Sequence, residues 1–395
     1  MAVLSFFLQQ LCRLLLSTIL FGHIDREFPS TTAFAASFSS SSSANDNIIM
    51  PKVSPSIVYT IAGSDSGGGA GIQADLKAIH TISNGTCHGC SAIVCLTAQN
   101  SCGVTSIHAP PVEFLREQLS TLDTDLYPNA VKIGMLGTKE LAEEVGDWLS
   151  KLKDRSTSIS SGGNGQQKQQ RIPLIVVDPV MISTSGSKLL DDEAKFAMIH
   201  KIFPHADLIT PNKFEAEELL GRKLLTPSDV ESGAREILAM GPKGVIIKGG
   251  HSLLEEQQGK ESTSLTLEED DEDNVSVGYA QDYLLLSSEM SEEGKPVKDR
   301  SRLCDGSRGV WLRSDRYNTI HTHGTGCTLS SSIAAAWAMG QRERDSTSTK
   351  NANGALSSMH LVDACCIAKA YVNAGIARGV QVCYHLQYQD FMLSK

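Results

Sequence analysis

His321-Thr322-His323-Gly324-Thr325-Gly326-Cys327-Thr328 runs straight into Leu-Ser-Ser-Ser-Ile-Ala-Ala-Ala-Trp, an apolar, alanine-rich helix pattern. The first turn of such a helix leaves backbone N–H groups unpaired and carries the positive end of the helix dipole, so it can hold an anion. The same field favours the thiolate of a cysteine placed there, here Cys327. An anion cradle with a base inside it suits the transfer of a phosphoryl group. The competing reading is a glycine-rich turn that caps a buried helix, with Cys327 as a small core residue.

Other chemistry-bearing residues sit where short apolar runs stop. Residues 57–62 lead into Gly63-Ser64-Asp65-Ser66-Gly67-Gly68-Gly69-Ala70-Gly71, a loop whose backbone can approach a ligand closely. It is neither a Walker A sequence nor Gly-x-Gly-x-x-Gly. In the helix pattern that follows, Asp75 falls on the same stripe as Ile72, Leu76 and Ile79. A carboxylate on an apolar stripe needs a partner, either local donors or a ligand, and the residues leave both open. Asp178 follows 174–177, Thr210-Pro211-Asn212 closes 207–210, and Lys248-Gly249-Gly250-His251 closes 245–247. Asn212 and Glu215 have the spacing of a helix capping pair. Glu215 with Asp178 could instead hold Mg²⁺ through water. Lys248 could offset phosphate charge, although a lone strand-end lysine is as readily just exposed.

The elements that would position these groups alternate. Apolar runs at 57–62, 130–136, 174–180, 207–210 and 245–248 are separated by helix patterns at 70–82, 112–121, 139–152 and 227–240. This pattern predicts an α/β fold with a mostly parallel sheet covered on both faces. Ligands in such sheets bind beyond the carboxyl ends of the strands, so these several polar endings are expected to line one cleft. Residues 156–170 (Ser/Gly/Gln-rich) and 253–301 (acidic around a strand-like 282–286) read as surface inserts of low order. Residues 1–52 form a separate leader. Its apolar stretch 11–22 is broken by Arg13 and too short for a comfortable membrane span, and Ala33-Phe34-Ala35 precedes a serine run at 39–43. This combination resembles the two-part leaders of algae with complex plastids. A plastid destination is expected, with a mitochondrial or cytoplasmic one as the alternatives. Residues 53–395 then read as a single domain.

With 395 residues, 41% hydrophobic and 20% charged, the chain can bury a substantial core. A net charge of −10 gives no sign of a nucleic-acid binder, and the acidic run 268–273 reads as a solvated loop. Cys87-His88-Gly89-Cys90 lacks a second pair at zinc spacing, so two ordinary loop thiols are expected there, with a redox pair as the alternative.

Taken in order, these segments resemble the hydroxymethylpyrimidine/phosphomethylpyrimidine kinases of thiamine biosynthesis, within the ribokinase-like superfamily. The matching blocks are Thr60 to Lys77, Thr97-Ala98-Gln99-Asn100, Lys132-Ile133-Gly134-Met135-Leu136, Asp178-Pro179-Val180-Met181, Thr210-Pro211-Asn212, Lys248-Gly249-Gly250-His251 and His321 to Thr328. The resemblance implies a three-layer α/β/α sandwich. It also implies ATP-dependent phosphorylation of 4-amino-5-hydroxymethyl-2-methylpyrimidine and then of its monophosphate. On that basis Gly63, Asp75, Gln99 and Met135 would meet the aminopyrimidine, and Asp75 would find its partner in the ligand. Cys327 would accept the hydroxyl proton while the N–H groups of Gly324, Thr325, Gly326 and Cys327 stabilise the transferring phosphoryl group. Lys248, Thr210 and Asn212 would serve the nucleotide, and Asp178 and Glu215 the Mg²⁺. The implied partners are the pyrimidine and ATP, with a homodimer possible and no stable membrane span or nucleic acid expected. A pyridoxal kinase-like enzyme and a non-catalytic pyrimidine-binding regulator are the alternatives. One departure stands out: the family's terminal Gly-x-Gly-Pro segment is replaced by Ala377-Arg378-Gly379-Val380-Gln381-Val382-Cys383-Tyr384-His385.

Overall fold

The computed structural model describes residues 54–101, 103–158, 172–181, 190–249, 276–288, 307–317, 319, 322–346 and 360–379. The leader 1–52, residues 159–170, most of 253–301, His251, His321 and the atypical stretch after Gly379 lie outside them.

The strands among these residues form one nine-stranded sheet in the order β3-β2-β1-β4-β5-β6-β7-β8-β9. They are β1 (Ser56–Asp65), β2 (Cys87–Gln99), β3 (Val104–His108), β4 (Ala130–Ile133), β5 (Leu174–Val177), β6 (Leu208–Ile209), β7 (Gly244–Gly249), β8 (Ser276–Leu286) and β9 (Arg308–Tyr317). From β2 to β7 every neighbouring pair is parallel. Antiparallel partners close both edges, β3 on β2 and the β8–β9 pair on β7. The helices are α1 (Gly71–Ile82), α2 (Val112–Asp125), α3 (Lys139–Ser158), α4 (Asp192–Ala197), α5 (Lys213–Leu220), α6 (Pro227–Leu238), α7 (Thr325–Ser346) and α8 (Leu361–Ala377).

Alternate strand residues serve two separate cores, because successive side chains point to opposite faces. Tyr59, Ile61, Val131, Ile133, Ile175 and Val177 face the side where α2, α3, α4, α5 and α6 pack. Val58, Ala130, Leu174, Val176, Leu208 and Ile246 face α1, α7 and α8. Buried on both faces, the parallel strands read as unbroken apolar runs. The α/β/α sandwich with a mostly parallel sheet is therefore present. On α7, Ile333, Ala334, Ala335 and Ala338 are fully buried, and such small side chains let the helix lie close to the sheet. Its N-terminus is thereby brought to the carboxyl ends of the strands.

The chain goes from β1 outward to β2 and then returns to β4 on the other side of β1. That reversal is a topological switch point, where open α/β sheets bind their ligands. The glycine-rich loop after β1 and Gly134 after β4 lie at its carboxyl side. One expectation is corrected here. Cys87 and Cys90 stand in strand β2 rather than in a loop, both buried, and they belong to opposite cores. Three residues apart in an extended strand, their side chains point to opposite faces, so they cannot act as a redox pair.

Candidate active site

The loop after β1 is organised by Asp65. Its Oδ1 accepts from the Gly67 amide at 2.8 Å, and its Oδ2 accepts from the Gly69 and Ala70 amides at 3.0 and 2.8 Å. Gly71 closes the loop at φ 54°, in the left-handed region, where a Cβ would strike the Gly63 carbonyl oxygen. Across the cleft, Gly324 sits at φ 79° directly before α7, and a Cβ there would collide with the Gly69 carbonyl oxygen. Two glycine backbones therefore meet where the first loop touches the last. His323 joins them further, with Nε2 at 3.5 Å from Asp65 Oδ2 and 3.4 Å from Gln99 Nε2. The Gln99 Oε1 accepts from Thr97 Oγ1 at 3.1 Å. Asp65 and His323 are site residues that the sequence reading passed over; an aspartate directly before a Ser-Gly-Gly-Gly run is the signal of an amide-collecting turn.

Asp75 is fully buried on α1 and ion-pairs with Lys132 of β4 at 2.8 Å, neither side chain being exposed at all. Thr60 Oγ1 donates to the same carboxylate oxygen, Oδ2, at 2.5 Å. The other oxygen, Oδ1, is buried and has no hydrogen-bond partner. The local-donor reading of Asp75 is thus corrected: its partners within the chain are distant in sequence rather than amides of its own helix turn, and Oδ1 has no partner among the described residues. Burial lifts the Asp75 carboxyl above its ordinary range, and the Lys132 charge pulls it back. A Cβ on Gly134 would lie 2.7 Å from Lys132 Nζ, so the glycine leaves room for the ammonium where it stands. Gly63 is packed as tightly, since a Cβ there would be 2.8 Å from Cys95 Sγ and 3.2 Å from Met135 Cε.

Cys327 lies in the first turn of α7, partly exposed and free. The amide of Thr325 is taken by the Thr322 carbonyl and that of Thr328 by Gly324. This leaves the N–H groups of Gly326 and Cys327 without an acceptor among the described residues, as an anion site requires. The expectation that the helix end favours the Cys327 thiolate is corrected by its surroundings. Burial outweighs the nearby Lys132 cation and the Gly71 amide hydrogen bond, and with Asp75 and Asp178 adding their charges the thiol is pushed up to about 11.

The strand-end residues of β5, β6 and β7 form a second cluster beside the same turn. Asp178 Oδ1 accepts from Lys248 Nζ at 2.9 Å and from Thr210 Oγ1 at 3.0 Å. A Cβ on Gly326 would lie 3.2 Å from Lys248 Nζ and 3.4 Å from Asp178 Oδ2, so α7 starts against this pair. Lys248 is therefore not an exposed strand-end lysine. Burial works against its charge, but Asp178 and Glu215 outweigh that and hold the ammonium protonated. Asn212 and Glu215 form the capping box of α5, with Asn212 Oδ1 accepting from the Glu215 amide at 2.9 Å and Glu215 Oε2 from the Asn212 amide at 2.7 Å. Glu215 is nonetheless buried and within the field of both Lys248 and Asp178. Cap and site are one residue. Two carboxyl groups beside the first turn of α7 are a donor set suited to a hard cation such as Mg²⁺ held partly through water.

Burial and the neighbouring Asp178 push the Glu215 carboxyl up to about 7. The folded chain then keeps a proton that the unfolded chain gives up near pH ~4.3, so stability falls as pH rises from there through 7. Glu215→Gln keeps the capping acceptor and removes the titration. Thermal melts of the ligand-free variant are expected to show a flatter pH dependence between 5 and 7 than those of the native chain; equal slopes would contradict this.

The sequence-predicted residues thus gather into two adjoining clusters at the switch point, one of Gly63, Asp75, Gln99, Met135 and Cys327, the other of Asp178, Thr210, Asn212, Glu215 and Lys248. The unexpected members are Lys132, Thr60, Asp65 and His323. Among the described residues no group of three or more metal-ligating side chains occurs, and no helix is long and apolar enough to cross a membrane.

The chain is similar to known proteins. The family model described as phosphomethylpyrimidine kinase matches residues 65–161, 163–281 and 275–387. The hydroxymethylpyrimidine/phosphomethylpyrimidine kinase of Haemophilus influenzae is 38% identical over 72% of this chain and 84% of its own length. A probable thiamine biosynthetic bifunctional enzyme, chloroplastic, of Oryza sativa subsp. japonica is 35% identical over 72% of this chain, which spans 40% of that longer protein. The crystal structure of phosphomethylpyrimidine kinase from Clostridium difficile is 31% identical, covers 81% of this chain and 99% of its own, and superposes with a TM-score of 0.51. Pyridoxal kinase from Staphylococcus aureus in complex with AMP-PCP and pyridoxal is 26% identical, covers 84% of this chain and 91% of its own, and has a TM-score of 0.56.

Proposed function

The chain belongs to the phosphomethylpyrimidine kinase family, and from that premise we propose that it phosphorylates 4-amino-5-hydroxymethyl-2-methylpyrimidine, and then its monophosphate, with ATP in thiamine biosynthesis. The observation that carries this reading is the convergence on one helix N-terminus of Cys327, the amides of Gly326 and Cys327, which have no acceptor among the described residues, and the paired Lys248 and Asp178. In the first reaction the substrate hydroxyl oxygen forms a bond to the γ-phosphorus of ATP as the bond to the ADP oxygen breaks. The hydroxyl proton passes to Cys327 Sγ, which must first be a thiolate. Charge on the transferring oxygens is met by the Gly326 and Cys327 amides and by the Lys248 ammonium. Thr210 and Asn212 hold the strand-end geometry beneath the nucleotide. Asp178 and Glu215 would hold Mg²⁺, which when bound neutralises phosphate charge. On the other side Gly63, Asp75, Gln99 and Met135 receive the pyrimidine ring.

A coupled assay of ADP release tests this with each of the two pyrimidines; turnover of neither would overturn it. The likeness to pyridoxal kinases favours measuring pyridoxal alongside. A kcat/KM for pyridoxal above that for the pyrimidine would replace the substrate but leave the chemistry. Residues 53–395 act in this reading as one kinase domain, and a homodimer is its assembly, to be checked by light scattering. A plastid destination is supported by the Ala-Phe-Ala junction of the leader and by the chloroplastic rice relative. A fluorescent fusion of residues 1–52 that stays in the cytosol would refute it.

A further inference from the structure

Among the groups in this cleft, Lys132 has no part in the reaction just described, and it is the most deeply buried cation of the described residues, with none of its side chain exposed. A buried ammonium is costly unless its surroundings are built for it. Here they are. Gly134 clears the space for it, and Asp75 supplies the counter-charge at 2.8 Å. The geometry has a directional consequence. Lys132 Nζ and Thr60 Oγ1 both donate to Asp75 Oδ2, and Lys132 has no acceptor capacity at all. The carboxylate is thereby held through Oδ2, and its Oδ1 stays buried with no hydrogen-bond partner among the described residues. The other charged or titratable groups whose fields reach Asp75 and Lys132 are Cys327 on α7 and Asp178 after β5, both acidic. Lys132 is thus the cation that balances this side of the cleft.

We propose that Lys132 is a positioning residue for substrate recognition, committing Asp75 to accept through Oδ1 from a hydrogen-bond donor such as the exocyclic amine of an aminopyrimidine. This rests on the reading of Asp75 as a substrate contact. An ammonium on one oxygen forces acceptor character on the whole group, so the site selects ligands that present an N–H donor there. The selectivity comes from a residue that never touches the ligand.

The sharpest test uses an amide in place of the acid. In Asp75→Asn the carbonyl oxygen must still face Lys132, which turns the amide NH₂ toward the ligand amine, donor against donor. Affinity for the hydroxymethylpyrimidine, measured by calorimetry, is expected to fall by ~10–100-fold, as for an unsatisfied buried polar pair. Adding Lys132→Met removes the constraint. The amide can then turn its oxygen to the ligand, and the double variant is expected to bind more tightly than Asp75→Asn alone, to within ~10-fold of the native chain. General damage to the site would make the second substitution neutral or worse. Asp75→Asn weak and the double variant equally weak or weaker would overturn the role of Lys132 while leaving Asp75 as a contact. Native-like binding by Asp75→Asn would instead overturn the reading of Asp75, and the proposal with it. If Asp75→Asn alone fails to fold, the double variant, which carries no buried charge at this pair, still decides: binding within ~10-fold of native supports the proposal, and a ~100-fold loss overturns it.

Discussion

Replacing Cys327 with alanine is expected to lower kcat by ~10²–10⁴-fold while leaving the KM for the pyrimidine within a few-fold of native, the pattern of a lost general base. The reasoning starts from its surroundings. Burial and the carboxylates of Asp75 and Asp178 push the thiol up to about 11, against the pull of Lys132. At pH 7 the thiolate is then ~10⁻⁴ of the free enzyme. The proton is held below that value and released above it, so kcat/KM of the native enzyme should climb with pH across the neutral and alkaline range. In Cys327→Ala that rise should vanish, because no titrating base remains. The two readouts separate the roles of side chain and backbone. The Gly326 and Cys327 amides survive the substitution, so whatever rate remains measures the anion site alone. A variant with near-native kcat and an unchanged pH profile would exclude Cys327 as the base.

The second large effect concerns Lys248. Lys248→Met removes the cation that faces Asp178 at 2.9 Å and is also within the field of Glu215. Two buried carboxyl groups would then share one site with no cation in direct contact with either. Breaking a buried pair in this way costs ~3–5 kcal/mol, because an uncompensated charge stays behind. The loss of a charge aimed at the phosphoryl group should cut kcat by a further ~10²–10³-fold. Stability and rate can be told apart with a second substitution. Adding Asp178→Asn removes the orphaned charge and should restore much of the melting temperature without restoring the rate. If Lys248→Met melts as the native chain does, the ion pair contributes nothing net. If the double variant regains activity, Lys248 does not act on the phosphate.

The parallel heart of the sheet was legible because strands buried on both faces leave unbroken apolar runs, as at 174–177 and 245–247. The edges were not. Strand β9 carries Arg308, Arg313, Asp315 and Arg316, and the other edge strand, β3, is the short Val-Thr-Ser-Ile-His, so neither presents an apolar run. At the site, the residues quoted from the strand endings converge as the parallel topology requires. What could not be read is pairing across distance. Lys132 lies 57 positions from Asp75, and Lys248 lies 70 from Asp178. A lysine in an apolar strand gives no sign of which acid will meet it. The thiol of Cys327 was misjudged for a related reason: a helix dipole is visible in sequence, whereas the desolvation that overrides it depends on what the fold packs around the sulfur.

The contact between Gly69 and Gly324 bears on how the two substrates influence one another. In the proposed reading it joins the loop assigned to the pyrimidine to the turn assigned to the phosphates by a close backbone approach, beside the His323 side chain. A movement of one must therefore displace the other. Occupying either site then biases the geometry of its neighbour, and by linkage the favour is returned in equal measure. The enzyme should accordingly show non-independent binding: the affinity for the pyrimidine measured with a non-hydrolysable nucleotide present will differ from that measured without it, and the nucleotide affinity will change by the same factor.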